Sequence, residues 1–144
     1  MDNSSFGGRL SDLMLEKGVS SIKLGNAIGV SKSAINNWRS GKFQMYLSNL
    51  LKVADYFNCS LEYLVGRTEN PLDYAPKPCP PFYARFRAVM KERGKTRYGM
   101  NRDTAIKDSY FTEWASGSDP RVSSLIEAAD YLGVTLDYLV GRDR

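Results

Sequence analysis

The chain has 144 residues and a formal net charge of +4, room for one ordinary domain or two very small ones, and a balance that permits a polyanionic partner without requiring one. It has no histidine, so the commonest general base and metal ligand is missing, and Cys59 and Cys79 give neither a metal spacing nor a disulfide framework and read as reduced thiols. No apolar run approaches ~18 residues, and the start, MDNSSFGGRL, lacks the basic and apolar regions of a signal peptide; a cytoplasmic protein without a membrane span is expected.

In chain order, a first helix is expected near residues 4–17, with Phe6, Leu10, Leu13 and Met14 inward at i, i+4, i+7 and i+8, ended by Gly18. Ser20 or Ser21 caps a second helix running to Ile28, with Leu24 and Ile28 inward. Gly25 in it marks a close approach to another helix. Gly29 breaks this helix, and Ser31 caps a third by accepting from a backbone N–H two or three residues on. Ala34, Ile35 and Trp38 form its apolar stripe. Lys32, Ser33, Asn36 and Asn37 lie on its other face, and Gly41 closes it. Donors and acceptors of that kind read base edges in a major groove. A fourth helix spans about 46–57. Ser60 caps a fifth, Glu62 complements its positive end, Leu61, Leu64 and Val65 fill the core, and Gly66 stops it.

The chain then repeats itself. Shifted by 76, residues 6–41 lie over 82–117 without a gap: Phe6 meets Phe82, Arg9 meets Arg85, Met14 meets Met90, and Trp38, Ser40 and Gly41 meet Trp114, Ser116 and Gly117. Shifted by 75, LLKVADYFNCSLEYLVGR (50–67) lies over LIEAADYLGVTLDYLVGR (125–142), with 10 of 18 positions identical. The expected organisation is all-α: a five-helix module at 1–67, a linker at 68–81 and a second, diverged module at 82–144, with helices at 82–93, 96–105, 107–116, 121–132 and 135–141. The linker TENPLDYAPKPCPP holds five of the six prolines. Fourteen residues of polyproline character span about 43 Å at roughly 3.1 Å each.

A helix, a short turn containing Gly and a second short helix make a helix-turn-helix. SSIKLGNAIGVSKSAINNWRSGK (20–42) resembles the phage-repressor-type (Cro/repressor-like, XRE) DNA-binding domain in Gly25, the Gly29-Val30-Ser31 turn, Ile35, Trp38 and Gly41. SLEYLVGR (60–67) is similar to that family's fifth helix. The resemblance covers both copies, closely in the first and loosely at the second copy's turn. It implies two tandem lambda-repressor-like domains and a repressor-like regulator of transcription whose partner is double-stranded DNA. It carries DNA contact to Ser21, Ser31, Lys32, Ser33, Asn36, Asn37, Arg39 and Lys42: Lys and Asn to bases, and Ser21, Arg39 and Lys42 to the backbone. Ser21 stands where the family usually has Gln, and Arg39 where it often has Glu.

The second copy departs from the pattern. Ala105-Ile106-Lys107 replaces Gly-Val-Ser, and its exposed face becomes Asp108, Ser109, Thr112 and Glu113, whose carboxylates phosphate repels. Tyr110 and Phe111 add aromatic bulk. A basic run, Arg85, Arg87, Lys91, Arg93, Lys95 and Arg97, either tracks a DNA backbone or is a solvated helical face. Arg97, Arg102 and Lys107 are its candidate backbone contacts. Trp38 and Trp114 read as core. Ser20 and Lys23 match an S-x-x-K pattern, but the other elements of a Ser-Lys enzyme are missing and the pair reads as a helix start. No catalytic, cofactor, small-molecule or metal site is expected. One reading is a covalent pseudo-dimer; another is a homodimer in which the first copy binds DNA and the second makes the interface. The alternative class is a protein-interaction module, antirepressor- or antitoxin-like.

Overall fold

The structure, a computed structural model, describes residues 3–144, with side chains from residue 6 on. The described residues form ten helices and no β-strand. The chain divides into two compact units, Met1–Asp73 and Tyr74–Arg144.

The first unit holds α1 (Asn3–Lys17), α2 (Ser21–Ile28), α3 (Lys32–Ser40), α4 (Leu47–Phe57) and α5 (Leu61–Leu64). Its core is the set the apolar spacing selects. Phe6, Leu10, Leu13 and Met14 of α1, Leu24 of α2, Ile35 and Trp38 of α3, Leu50, Val53 and Phe57 of α4 and Leu61 and Leu64 of α5 are all buried. Burial of each large apolar side chain stabilises by roughly 1.5–3 kcal/mol. The Phe6 ring meets Trp38 edge-on at 6.4 Å and Phe43 at 5.7 Å. Ile28 is only half-buried, because the turn carries the chain away from the core there. Helix α1 lies backbone to backbone against the end of α3: a Cβ on Gly7 would stand 2.7 Å from the carbonyl oxygens of Trp38 and Arg39.

The second unit holds α6 (Phe82–Glu92), α7 (Arg97–Asp103), α8 (Asp108–Ala115), α9 (Val122–Leu132) and α10 (Leu136–Val140). Its centre is aromatic. Phe86 stands 5.2 Å from Trp114, 5.5 Å from Phe111 and 5.5 Å from Phe82. Phe111 is wholly buried, and Tyr110 packs against Trp114 at 5.9 Å. Both tryptophans are core residues, 5 % and 6 % exposed.

The proline-rich stretch is not helical, as proline's fixed φ and missing N–H require. It is tied along its length, its first part to one unit and its second part to the other. In the first unit Ser60 N donates to Pro71 O at 2.7 Å, and Arg9 donates to Thr68 O, approaches Glu69 at 3.5 Å and lies 4.0 Å over the Tyr63 ring. In the second, Lys77 N donates to Arg142 O at 2.9 Å. Gly141 (φ +85°) leaves room for Pro80, whose Cδ would stand 2.7 Å from an added Cβ. Tyr74 donates to Asp137, and Arg142 donates to Tyr74 Oη at 2.8 Å. Asp137 and Arg142 are each 2 % exposed and lie 3.7 Å apart. A buried charge needs a partner of this kind, since its desolvation costs several kcal/mol. Burial, and then the bond to Asp137, raise the Tyr74 phenol above its ordinary range.

Candidate nucleic-acid interface

Serine hydroxyls open both helices of the first turn motif. Ser20 Oγ accepts from Lys23 N, and Ser31 Oγ from Ala34 N, each at 3.1 Å. A cap of this type is worth about 1 kcal/mol. Gly29 ends α2 at φ +77°, a conformation that costs other residues roughly 1–2 kcal/mol. The close approach expected at Gly25 is to the turn rather than to another helix. A Cβ there would stand 2.5 Å from Val30 O, so the glycine admits the turn's own backbone, and Val30 N donates to Gly25 O at 3.0 Å. The turn therefore folds flat against α2 and fixes the angle at which α3 leaves.

Helix α3 buries Ile35 and Trp38 and exposes Lys32, Ser33, Asn36 and Asn37. Lys42 is exposed just beyond the Gly41 cap, and its N–H donates to Asn37 O at 3.0 Å. Ser31 is exposed, but its hydroxyl is engaged as the cap.

Two residues expected to meet the DNA backbone have partners within the protein. Arg39 turns back along the protein: its Nε donates to Ser11 Oγ at 3.2 Å and its Nη1 to Ser21 Oγ at 3.3 Å. Ser21 is 7 % exposed, and its hydroxyl donates to Asn36 Oδ1 at 2.7 Å. Ser11 and the Arg39 contact are long-range features that no local pattern announces.

The second unit builds its turn from other parts. Helix α7 stops two residues short of the expected end. Thr104 adopts an extended backbone (φ −130°), its Oγ1 donates to Met100 O at 2.7 Å, and it accepts from Ile106 N at 3.0 Å. Glu127 Oε1 accepts from Ala105 N at 2.7 Å. Lys107 provides no side-chain cap for α8. Asn101 does so from α7, its Oδ1 accepting from Asp108 N at 3.1 Å. Ile106 is buried, so an apolar plug holds this turn where a positive-φ glycine holds the first.

The three candidate backbone contacts of this unit are exposed, and each has an internal partner. Arg97 donates to Asp108 Oδ1 and O at 3.0 Å. Arg102 donates to Asp103 at 2.7 and 2.9 Å, which draws the Asp103 carboxyl down to about 2. Lys107 Nζ donates to Asn101 O and Thr104 O at 2.9 Å. The basic run divides. Arg85 and Arg93 donate to Tyr138 O and Leu132 O and tie helices together, whereas Arg87, Lys91, Lys95 and Arg97 line a shallow depression of about 470 Å³.

Among the described residues no group of His, Cys, Asp and Glu could hold a metal ion, and no helix is long and apolar enough to cross a membrane.

A family model of the Cro/C1-type helix-turn-helix DNA-binding domain matches residues 9–69. No curated protein matches the chain. Among solved structures the chain is similar to the restriction-modification controller protein C.AhdI from Aeromonas hydrophila, at 30 % identity over 44 % of this chain and 96 % of that one, with a TM-score of 0.42. Residues 9–69, then, are a Cro/C1-type helix-turn-helix DNA-binding domain, and the chain is a DNA-binding transcriptional regulator.

Proposed function

We propose that the first unit reads a specific operator through α3 laid in a major groove, and that the second is a diverged helix-turn-helix module that does not read bases. The observation that carries this is the split surface of α3. Ile35 and Trp38 anchor its back in the core, and Lys32, Ser33 and Asn37 stand exposed on its front. Lys reaches guanine or a phosphate, and Asn pairs with a base edge. Ser31 and Lys42 lie at the two ends of that helix, where phosphates flank a bound helix, and we assign them register-setting contacts. Repression would follow from occupying a promoter, without chemistry on the DNA and in the cytoplasm.

For the second unit, Asp108 and Glu113 on α8 favour a protein partner over a polyanion. Its arginines at α7 are already bound to Asp108 and Asp103. We assign this unit, joined through residues 68–81, to dimerisation of the regulator. A single chain spanning two unlike half-sites is the competing arrangement, half-sites of this motif lying roughly 34 Å apart.

The test is selection of duplexes from a random pool by the full chain, with solution mass and footprint measured beside it. Lys32→Ala and Asn37→Ala should each lower affinity for the selected duplex about ten-fold, within the roughly 1–3 kcal/mol of a base contact, and leave the fold intact. Asp108→Ala and Glu113→Ala should not weaken it. Selective binding that survives both α3 substitutions sinks the reading, and a monomer protecting two unlike half-sites overturns the dimer.

A further inference from the structure

The bonds that tie the exposed Arg39 guanidinium to Ser11 and Ser21 also decide what Asn36 offers. Guanidinium is a donor only. Arg39 Nη1 therefore occupies a lone pair of Ser21 Oγ, 3.3 Å away, and its charge strengthens the proton that this hydroxyl donates in turn. The acceptor is Asn36 Oδ1 at 2.7 Å. Ser11 Oγ holds the other edge of the guanidinium at 3.2 Å, so both ends of the chain of bonds are fixed by helices. Asn36 is exposed. With its oxygen drawn inward, its outward group is the NH2.

We propose that Ser21 and Arg39 are positioning residues that make Asn36 a hydrogen-bond donor alone, aimed at an acceptor-only group on DNA: the edge of guanine or a phosphate oxygen. An amide turned this way does not pair with adenine through two bonds, since that pairing needs the oxygen facing the base. The proposal rests on the reading of α3 as the recognition helix. It differs from it in assigning Ser21 and Arg39 no contact with DNA of their own.

The experiment is a double-mutant cycle on the full chain, read as affinity for the duplex it selects. Ser21→Ala should weaken binding roughly three- to ten-fold, because the amide is then free to turn. In an Asn36→Ala background the same change should cost nothing further. Arg39→Ala should behave alike, and Ser21→Thr, which keeps the hydroxyl, should restore binding. Thermal melting of every variant separates this from loss of fold. Two arms identify the acceptor. If it is guanine, replacing the contacted base by 7-deazaguanine abolishes the Asn36→Ala effect. If it is phosphate, a single methylphosphonate abolishes it and base preference is unchanged. Effects of Ser21→Ala and Asn36→Ala that multiply, or a silent Ser21→Ala, overturn the proposal. A wild-type chain that selects no sequence overturns the α3 reading itself, and the proposal with it.

Discussion

The two turns solve one geometric problem with different chemistry. In the first unit the backbone does the work. Gly29 takes a positive φ, Gly25 clears Val30 O, and a serine hydroxyl caps α3. No side chain beyond Ser31 is needed, so the front of α3 stays open to solvent. In the second unit side chains do it. Thr104, Asn101 and Glu127 hold backbone donors, Ile106 fills the gap, and Arg97 and Lys107 are drawn into the same network. A turn held by side chains occupies the groups that would otherwise meet a ligand. The same contrast runs through the last helices. Glu62 and Arg67 pair at 2.6 Å with the arginine side chain 31 % exposed, whereas Asp137 and Arg142 are sealed beneath the segment that begins at Tyr74.

The largest test of that contrast is at the carboxylates. Asp137→Ala strands a buried guanidinium and should cost about 3–5 kcal/mol, whereas Glu62→Ala, at a pair whose carboxylate is 12 % exposed, should cost less, about 1–2 kcal/mol. Denaturant unfolding of the full chain measures both, and equal costs would break the comparison. Next is Gly25→Ala, whose new methyl meets backbone rather than a movable side chain. About 1–3 kcal/mol should be lost, with operator affinity falling further as α3 is pushed from its angle. Ser31→Ala should cost about 1 kcal/mol, and Lys107→Ala should cost less, since Lys107 gives α8 no side-chain cap and its exposed ammonium bonds only the carbonyls at the end of α7; thermal melts rank the two.

Two smaller effects depend on pH. The Tyr74 phenol is raised in the folded protein, so it keeps its proton when the unfolded chain loses one near pH 10. Its contribution is complete below that pH and should be lost as pH rises above it. Tyr74→Phe should flatten this alkaline loss. Asp103 shifts the other way, to about 2 from an ordinary 3.8. Its small, solvent-screened contribution is present above pH 4 and should fade as pH falls towards 2. Acid titration of Arg102→Ala, whose charge and hydrogen bonds hold the carboxyl down, should show the fading at higher pH.

Much of the molecule was legible in the residues. The helices, their serine caps, the two buried tryptophans and the exposed front of α3 follow from spacing, because apolar period and capping are local properties. The helix ends in the second unit were less so: α7 stops at Asp103 because Thr104 bonds back to Met100, a choice between two local bonds that period alone does not make. Fully hidden was everything joining positions distant in sequence. The sequence marks Arg39 as a departure from the family pattern and Ser21 as a short stand-in for Gln. Only packing α1 against α2 and α3 brings Ser11, Ser21, Arg39 and Asn36 into one chain of bonds. Likewise the proline content of residues 68–81 dictates an extended, helix-free path. That Tyr74 closes over an ion pair 63 residues away was decided by the tertiary structure, because a charge excluded from water must find its partners in space.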